Sequence, residues 1–223
     1  MGKALLRLAA ADSRVLVVAA VSRGEVASVD SLVRCISVAQ LDESPPFDVA
    51  IDFSLPEALD PLLSLCLSRR AALVTGTTGL SSAQFADLAA AGEQIPVLWA
   101  SNFSLGVVVL EDVVRRASAA LKHWDLRIVE THHVRKQDAP SGTALSLARA
   151  AQGARGTFPE IESIREGEVV GDHLVRFAGP GETLEFRHQA TDRDIFGAGA
   201  LEAANLLLQR KPGLHRLGDL LFE

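Results

Sequence analysis

Over the first hundred positions, short unbroken apolar runs alternate with stretches of helical period. Residues 15–21, Val-Leu-Val-Val-Ala-Ala-Val, carry no polar side chain, as expected of a strand covered on both faces. Residues 49–53, 71–75 and 96–100 are further predicted strands. Helices fit between them. Ser54 with Glu57 forms the pattern of a capping box, and Pro56 suits a first turn, so a helix is expected over residues 56–69. Ser81 with Gln84 repeats the device ahead of residues 85–90. Such alternation predicts crossover connections and a parallel sheet, a Rossmann-like α/β domain.

After Asn102 the period changes. Val107, Leu110, Val114, Ala117 and Leu121 mark one face of a helix over residues 106–121. Residues 125–130, 174–177 and 183–188 alternate apolar and polar side chains, as strands with one solvated or polar face do. Pro180-Gly181 between the last two is a turn signal and makes them a hairpin. A second, α+β domain with a mixed, largely antiparallel sheet is the expectation.

Composition narrows the class. Of 223 residues, 48% are hydrophobic and 22% charged, within the range of a soluble globular protein. No apolar run approaches the length needed to cross a bilayer. Arg7 interrupts the opening apolar stretch, and Leu6 stands where myristoylation needs Ser or Thr, so a cytoplasmic location is the default. The net charge of −6 argues against nucleic acid as the main partner. Cys35 and Cys66 are too few and too far apart for a metal knuckle and read as packing residues.

Against that acidic background, Thr131-His132-His133-Val134-Arg135-Lys136-Gln137-Asp138-Ala139-Pro140-Ser141-Gly142-Thr143 gathers four potential cations within five positions. The segment follows a predicted strand and ends at a helix start, with Ser141 a good N-cap. Free N–H groups and the positive dipole end of that helix suit a carboxylate or phosphate. Gly142 lets a ligand approach the backbone. A histidine or the lysine could donate a proton in a reduction. Zinc held by His132, His133 and Asp138 is the weaker reading, because adjacent histidines are awkward ligands and no cysteine helps. A second candidate is Gly76-Thr77-Thr78-Gly79, with Ala100-Ser101-Asn102-Phe103 after the next strand. Both lie where ligands of parallel sheets bind, beyond the carboxyl ends of the strands.

These motifs, in this order, resemble the dihydrodipicolinate (4-hydroxy-tetrahydrodipicolinate) reductase family over nearly the whole chain. The resemblance rests on Asp52-Phe53-Ser54 with Pro56, Gly76 to Gly79, Ser101 to Ser104 with Gly106, and the block from His132 to Thr143. It continues through Val170-Gly171-Asp172-His173, Gly181-Glu182, Arg193 with Phe196, Gly199-Ala200 and Pro212-Gly213. It implies NADPH- or NADH-dependent reduction of 4-hydroxy-tetrahydrodipicolinate to tetrahydrodipicolinate, in lysine and diaminopimelate synthesis. By position, His132 matches the proton donor and acceptor and Lys136 the proton-donating lysine. His133, Gly142 and Thr143 match the grip on the substrate carboxylates. Gly76, Thr77 and Thr78 with Ala100, Ser101, Asn102 and Phe103 match the walls of the nicotinamide site. The resemblance further implies a homotetramer built through the second domain's sheet, and a nucleotide domain of residues 1–103 with 193–223 around a substrate and oligomerisation domain of residues 104–192.

Two departures change what the resemblance implies. Ser22-Arg23 stands where the family has an acidic residue followed by arginine. Loss of the carboxylate weakens the hold on a free ribose 2′-hydroxyl, and Arg23 could meet a 2′-phosphate, which tilts the expectation toward NADPH. The family's opening strand and glycine-rich phosphate loop, whose last residues match Met1-Gly2, precede this chain's first residue. A misplaced start or a trimmed chain is the expected cause, and neighbouring strand edges are expected to lie unpaired. The alternative function is a shortened, non-catalytic homologue that binds a dicarboxylate or an oligomer partner.

Overall fold

The structure, a computed structural model, describes residues 1–22 and 33–222. It forms two compact units: Met1–Phe103 with Phe196–Glu223, and Ser104–Ile195.

The first unit carries parallel strands. β1 (Ala19–Ser22) pairs with β2 (Arg34–Ser37) in a two-stranded sheet. β3 (Val49–Asp52), β4 (Ala72–Thr75), β5 (Pro96–Trp99) and β10 (Gly213–His215) form a four-stranded parallel sheet in the order β10-β5-β4-β3. Helices α1 (Gly2–Ala10), α2 (Leu59–Arg69), α3 (Ser82–Gly92) and α7 (Leu217–Phe222) complete the unit, together with all but the first two residues of α6 (Asp194–Leu207). Leu59, Leu63 and Cys66 of α2 pack with Leu73, Leu88 and Val97 in one core, each such side chain stabilising by about 1.5–3 kcal/mol when fully buried. Cys66 is a packing residue as expected, and burial pushes its thiol up to about 12.

Two local expectations are corrected. The run at residues 15–21 yields a strand only from Ala19, and Leu16 is 77% exposed. Val21 of β1 is 45% exposed, so the run is not covered on both faces. The helix after β3 is not capped by Ser54. Asp52 Oδ1 accepts the Ser54 N–H at 2.9 Å, and a 3₁₀ turn at Pro56–Ala58 with Leu55 as N-cap leads into α2. A carboxylate two residues upstream therefore takes the donor that the capping box was expected to use. The Ser81–Gln84 box forms as expected.

The second unit stacks α4 (Leu105–Ala120) and α5 (Gly142–Arg155) on a four-stranded sheet. Its strands are β6 (Asp125–His132), β7 (Glu160–Arg165), β8 (Gly171–Gly179) and β9 (Glu182–Ala190), ordered β7-β6-β8-β9. β6 and β7 run parallel, joined through α5; β8 and β9 are antiparallel and turn at Pro180-Gly181, where Gly181 has a φ of 83°. Alternation turns Leu126, Ile128, Val175, Phe177 and Phe186 toward Val114, Leu147 and Ala151 of the two helices. The fold is α/β, with a parallel first sheet and a mixed, mostly antiparallel second one.

Candidate active site

The buried face of the second sheet changes character along its length. Past Ile128 the same alternation brings Glu130 and His132 inward on β6, His173 on β8 and His188 on β9. Register sets Glu130 opposite His173, and His173 opposite His188, so three polar side chains cross the sheet in one row. The N-termini of both helices serve that row. Ser141, N-cap of α5, places its hydroxyl 3.1 Å from His173 Nε2, and Ser104, N-cap of α4, places its own 3.2 Å from His188 Nε2.

Glu130 is the hub, with no exposed surface. Oε2 is hydrogen-bonded to His132 Nδ1, while Oε1 accepts the Ser141 N–H at 3.3 Å and Arg165 Nη2 at 2.9 Å. Burial pushes the Glu130 carboxyl up, but bonds from Arg165, Ser163 and His132 outweigh it and leave the group below the usual carboxylate range. Arg165 also donates through Nε to the Lys136 carbonyl at 3.2 Å, which fastens the loop after β6 to β7.

Each expected substrate-side residue has a defined place. His132 is 8% exposed, and burial lowers its pKa; Glu130 opposes that shift, while Lys136 and Arg165 reinforce it. His133 sits at the strand end with its N–H on the Val169 carbonyl at 2.7 Å and its Nδ1 buried. Lys136 Nζ rests on both carboxylate oxygens of Asp138 at 2.7 Å. Gly142 is the first residue of α5, and a side chain built there would meet nothing within 4 Å, so the helix N-terminus is open at that point. Thr143 follows, half-buried. No group of three or more side chains suited to a metal ion occurs among the described residues.

In the first unit the Gly76–Gly79 and Ala100–Phe103 segments follow the neighbouring strands β4 and β5. Asp52, at the end of β3, accepts from the hydroxyls of Thr75 at 2.8 Å and Thr77 at 2.7 Å. Thr77's side chain is thus committed to the scaffold, and its carbonyl accepts from Trp99 Nε1 at 2.9 Å. Thr78 and Ser101 are exposed, Asn102 is half-buried, and Phe103 is buried edge-on against Phe53 with ring centres 5.2 Å apart. Gly76 lies against that aromatic pair. Arg23 falls outside the described residues.

Comparison with known proteins agrees with both halves of this description. Residues 1–103 match the family described as dihydrodipicolinate reductase, N-terminus, and residues 106–221 the one described as dihydrodipicolinate reductase, C-terminus. The chain belongs to the dihydrodipicolinate reductase family. A 4-hydroxy-tetrahydrodipicolinate reductase of Stenotrophomonas maltophilia is 54% identical over 99% of this chain and 93% of its own length. One from Xanthomonas campestris pv. campestris is also 54% identical, over 99% of this chain and 92% of its own. Among solved structures, a dipicolinate-bound dihydrodipicolinate reductase from Paenisporosarcina sp. TG-14 shares the fold at a TM-score of 0.89, with 22% identity over 98% of this chain and 94% of that one. No helix among the described residues is long and apolar enough to cross a membrane.

The sequence reading missed Glu130, Arg165 and His188 as site residues, and used Asp52, Ser104 and His173 only as parts of motifs. A signal for Glu130 lay in the alternation itself. Leu126, Ile128, Glu130 and His132 share one period-two face, and a carboxylate continuing an apolar face has to find partners.

Proposed function

We propose that the chain is the reductase of its family: it converts 4-hydroxy-tetrahydrodipicolinate to tetrahydrodipicolinate in lysine and diaminopimelate synthesis, with a pyridine nucleotide as reductant. The observation that carries the reading is the convergence, within one segment of the second unit, of a buried imidazole, a lysine and an open helix N-terminus.

The second unit holds the substrate. His133, Gly142, Thr143 and the N-terminus of α5 receive the carboxylates, where the helix dipole favours an anion. His132 and Lys136 supply the proton. Lys136 is held by Asp138, whose side chain is 60% exposed, and such a surface pair stabilises by only about 0–1 kcal/mol. The ammonium is therefore free to turn to a bound dicarboxylate at small cost.

The first unit holds the nucleotide. Thr78, Ser101 and Asn102 with the adjoining backbone form a set of neutral donors and acceptors, which suits an uncharged carboxamide, while Gly76, Thr77, Ala100 and Phe103 form the wall behind them. When bound, the nicotinamide supplies the hydride; the protein's part is orientation and proton delivery. Ser22-Arg23 favours a 2′-phosphate and hence NADPH over NADH. A cytoplasmic homotetramer, joined through the second unit's sheet, completes the reading. The face of that sheet turned away from the helices carries Ile164 among its charged side chains.

Oxidation of NADPH and NADH by the chain, with freshly synthesised hydroxytetrahydrodipicolinate and with Lys136→Ala alongside, tests the reading. Substrate-dependent turnover, faster with NADPH and collapsing in the variant, is expected. A folded chain that binds the dicarboxylate but oxidises neither nucleotide would point to the non-catalytic homologue instead, and equal or better use of NADH would remove the role given to Arg23.

A further inference from the structure

We infer that Glu130 is a positioning residue: it holds His132 with a proton on Nδ1, so that Nε2 is the nitrogen that exchanges a proton with the ligand. The inference rests on the reading of His132 as proton donor, and its basis is geometric. Glu130 is fully buried, and both of its oxygens are engaged by donors: the Arg165 guanidinium and the Ser141 N–H on one, His132 Nδ1 on the other. An ionised carboxylate only accepts hydrogen bonds, so the shared proton belongs to Nδ1. Nε2 then keeps its lone pair in the neutral ring and carries the labile proton in the charged one. Carboxylates hydrogen-bonded to functional histidines act in this way in general, by selecting the tautomer and the ring orientation.

The surroundings of Nε2 fit that assignment. Gly171 of β8 lies beside it: a Cβ at that position would stand 3.2 Å from Nε2, so the glycine leaves this nitrogen's flank uncovered. His173 meets the His132 ring edge-on, with centres 5.2 Å apart. The charged or titratable groups that influence His132 are Glu130 on its own strand, Lys136 on the following loop, Arg165 on β7 and His173 on β8. Glu130 is the only anion of that set, so it alone favours the imidazolium that a proton donor needs. The same carboxylate links the acid to the anion site, because it bonds the N-cap residue of α5 and, through Arg165, the carbonyl of Lys136.

The test has two arms. In the unsubstituted chain labelled with ¹⁵N-histidine, the imidazole spectrum, assigned with His132→Gln, is expected to show neutral His132 protonated at Nδ1. In Glu130→Gln, kcat for the dicarboxylate substrate is expected to fall by about 100-fold, the scale of general acid–base assistance, with KM changed less than about threefold. The limb of the pH profile that reports His132 is expected to move to lower pH, and Glu130→Asp to recover part of the loss. A purely structural carboxylate would move neither the tautomer nor that limb. A proton on Nε2 of neutral His132 overturns the inference, as does a Glu130→Gln enzyme with unchanged kcat and pH limb. If Glu130→Gln does not fold, the tautomer of the unsubstituted chain still decides. If the unsubstituted chain reduces nothing, the proposed function fails while the spectrum continues to judge Glu130.

Discussion

The hydroxyl of Ser141 has two tasks at once: it accepts the Ala144 N–H at 3.2 Å, closing the N-terminus of α5, and it lies 3.1 Å from Nε2 of the buried His173. Substituting Ser141 by alanine removes a cap, at about 1 kcal/mol, and strands a buried imidazole nitrogen, at about 1–3 kcal/mol. A combined loss of about 2–4 kcal/mol is expected in urea denaturation. Ser141→Ala as stable as the unsubstituted chain would mean that the two contacts carry no weight.

His173 governs part of the response to acid. Burial, reinforced by His132 and His188, lowers its pKa to about 4 in the folded chain, below the ordinary value near 6.5. The unfolded chain therefore takes up the proton first. Stability contributed by the neutral ring is complete above pH 6.5 and is lost as pH falls from there toward 4, for a total on the order of 3 kcal/mol. Burial lowers His132 and His188 too, so their contributions have the same sign. Unfolding free energies at pH 7.5 and pH 5, compared between the unsubstituted chain and His173→Gln, are expected to show the smaller acid loss in the variant.

Asp138 competes with the ligand for Lys136. Releasing the lysine with Asp138→Asn is expected to leave stability within about 0.5 kcal/mol, because the substituted side chain is 60% exposed. Since a surface pair of up to about 1 kcal/mol no longer has to be broken, KM for the dicarboxylate should fall by up to about fivefold. Steady-state kinetics check this, and a raised KM would show that Asp138 orders the loop rather than restraining the lysine.

Gly199 of α6 admits the backbone of Phe103. A Cβ at Gly199 would stand 1.8 Å from the Phe103 carbonyl oxygen, and backbone cannot swing aside as a side chain can. Gly199→Ala is expected to lose at least the upper end of the 1–3 kcal/mol that overpacking costs. Phe103 backs Gly76, so nucleotide binding should weaken along with it. A thermal melt and a fluorescence titration with NADPH measure both effects; an unshifted melting temperature would contradict the close approach.

Much of this was legible in the chain because the signals are local. The apolar runs at residues 49–53, 71–75 and 96–100 became β3, β4 and β5, since a short β-rich run bounded by turn residues has few other ways to bury itself. The Ser81–Gln84 box and the start of α5 after Ser141 formed as read, because a cap is satisfied within four residues. β2, β7 and β10 were not read at all. β10 is three residues long, and β7, Glu-Ile-Glu-Ser-Ile-Arg, alternates too little apolar content to stand out.

By itself, then, the sequence determined the alternation of elements, the two kinds of sheet, and a histidine–lysine segment ending at a helix N-terminus. Tertiary structure decided which side chains complete the site. Asp52 reaches Thr77 across 25 positions, Ser141 reaches His173 across 32, and Arg165 reaches Glu130 across 35. Those meetings depend on strand order and register, which are settled by the packing of whole faces rather than by any local run of residues. Glu130 could be seen in the chain as a carboxylate on an apolar face; that its partners are a histidine, an arginine and a helix cap is a property of the folded sheet.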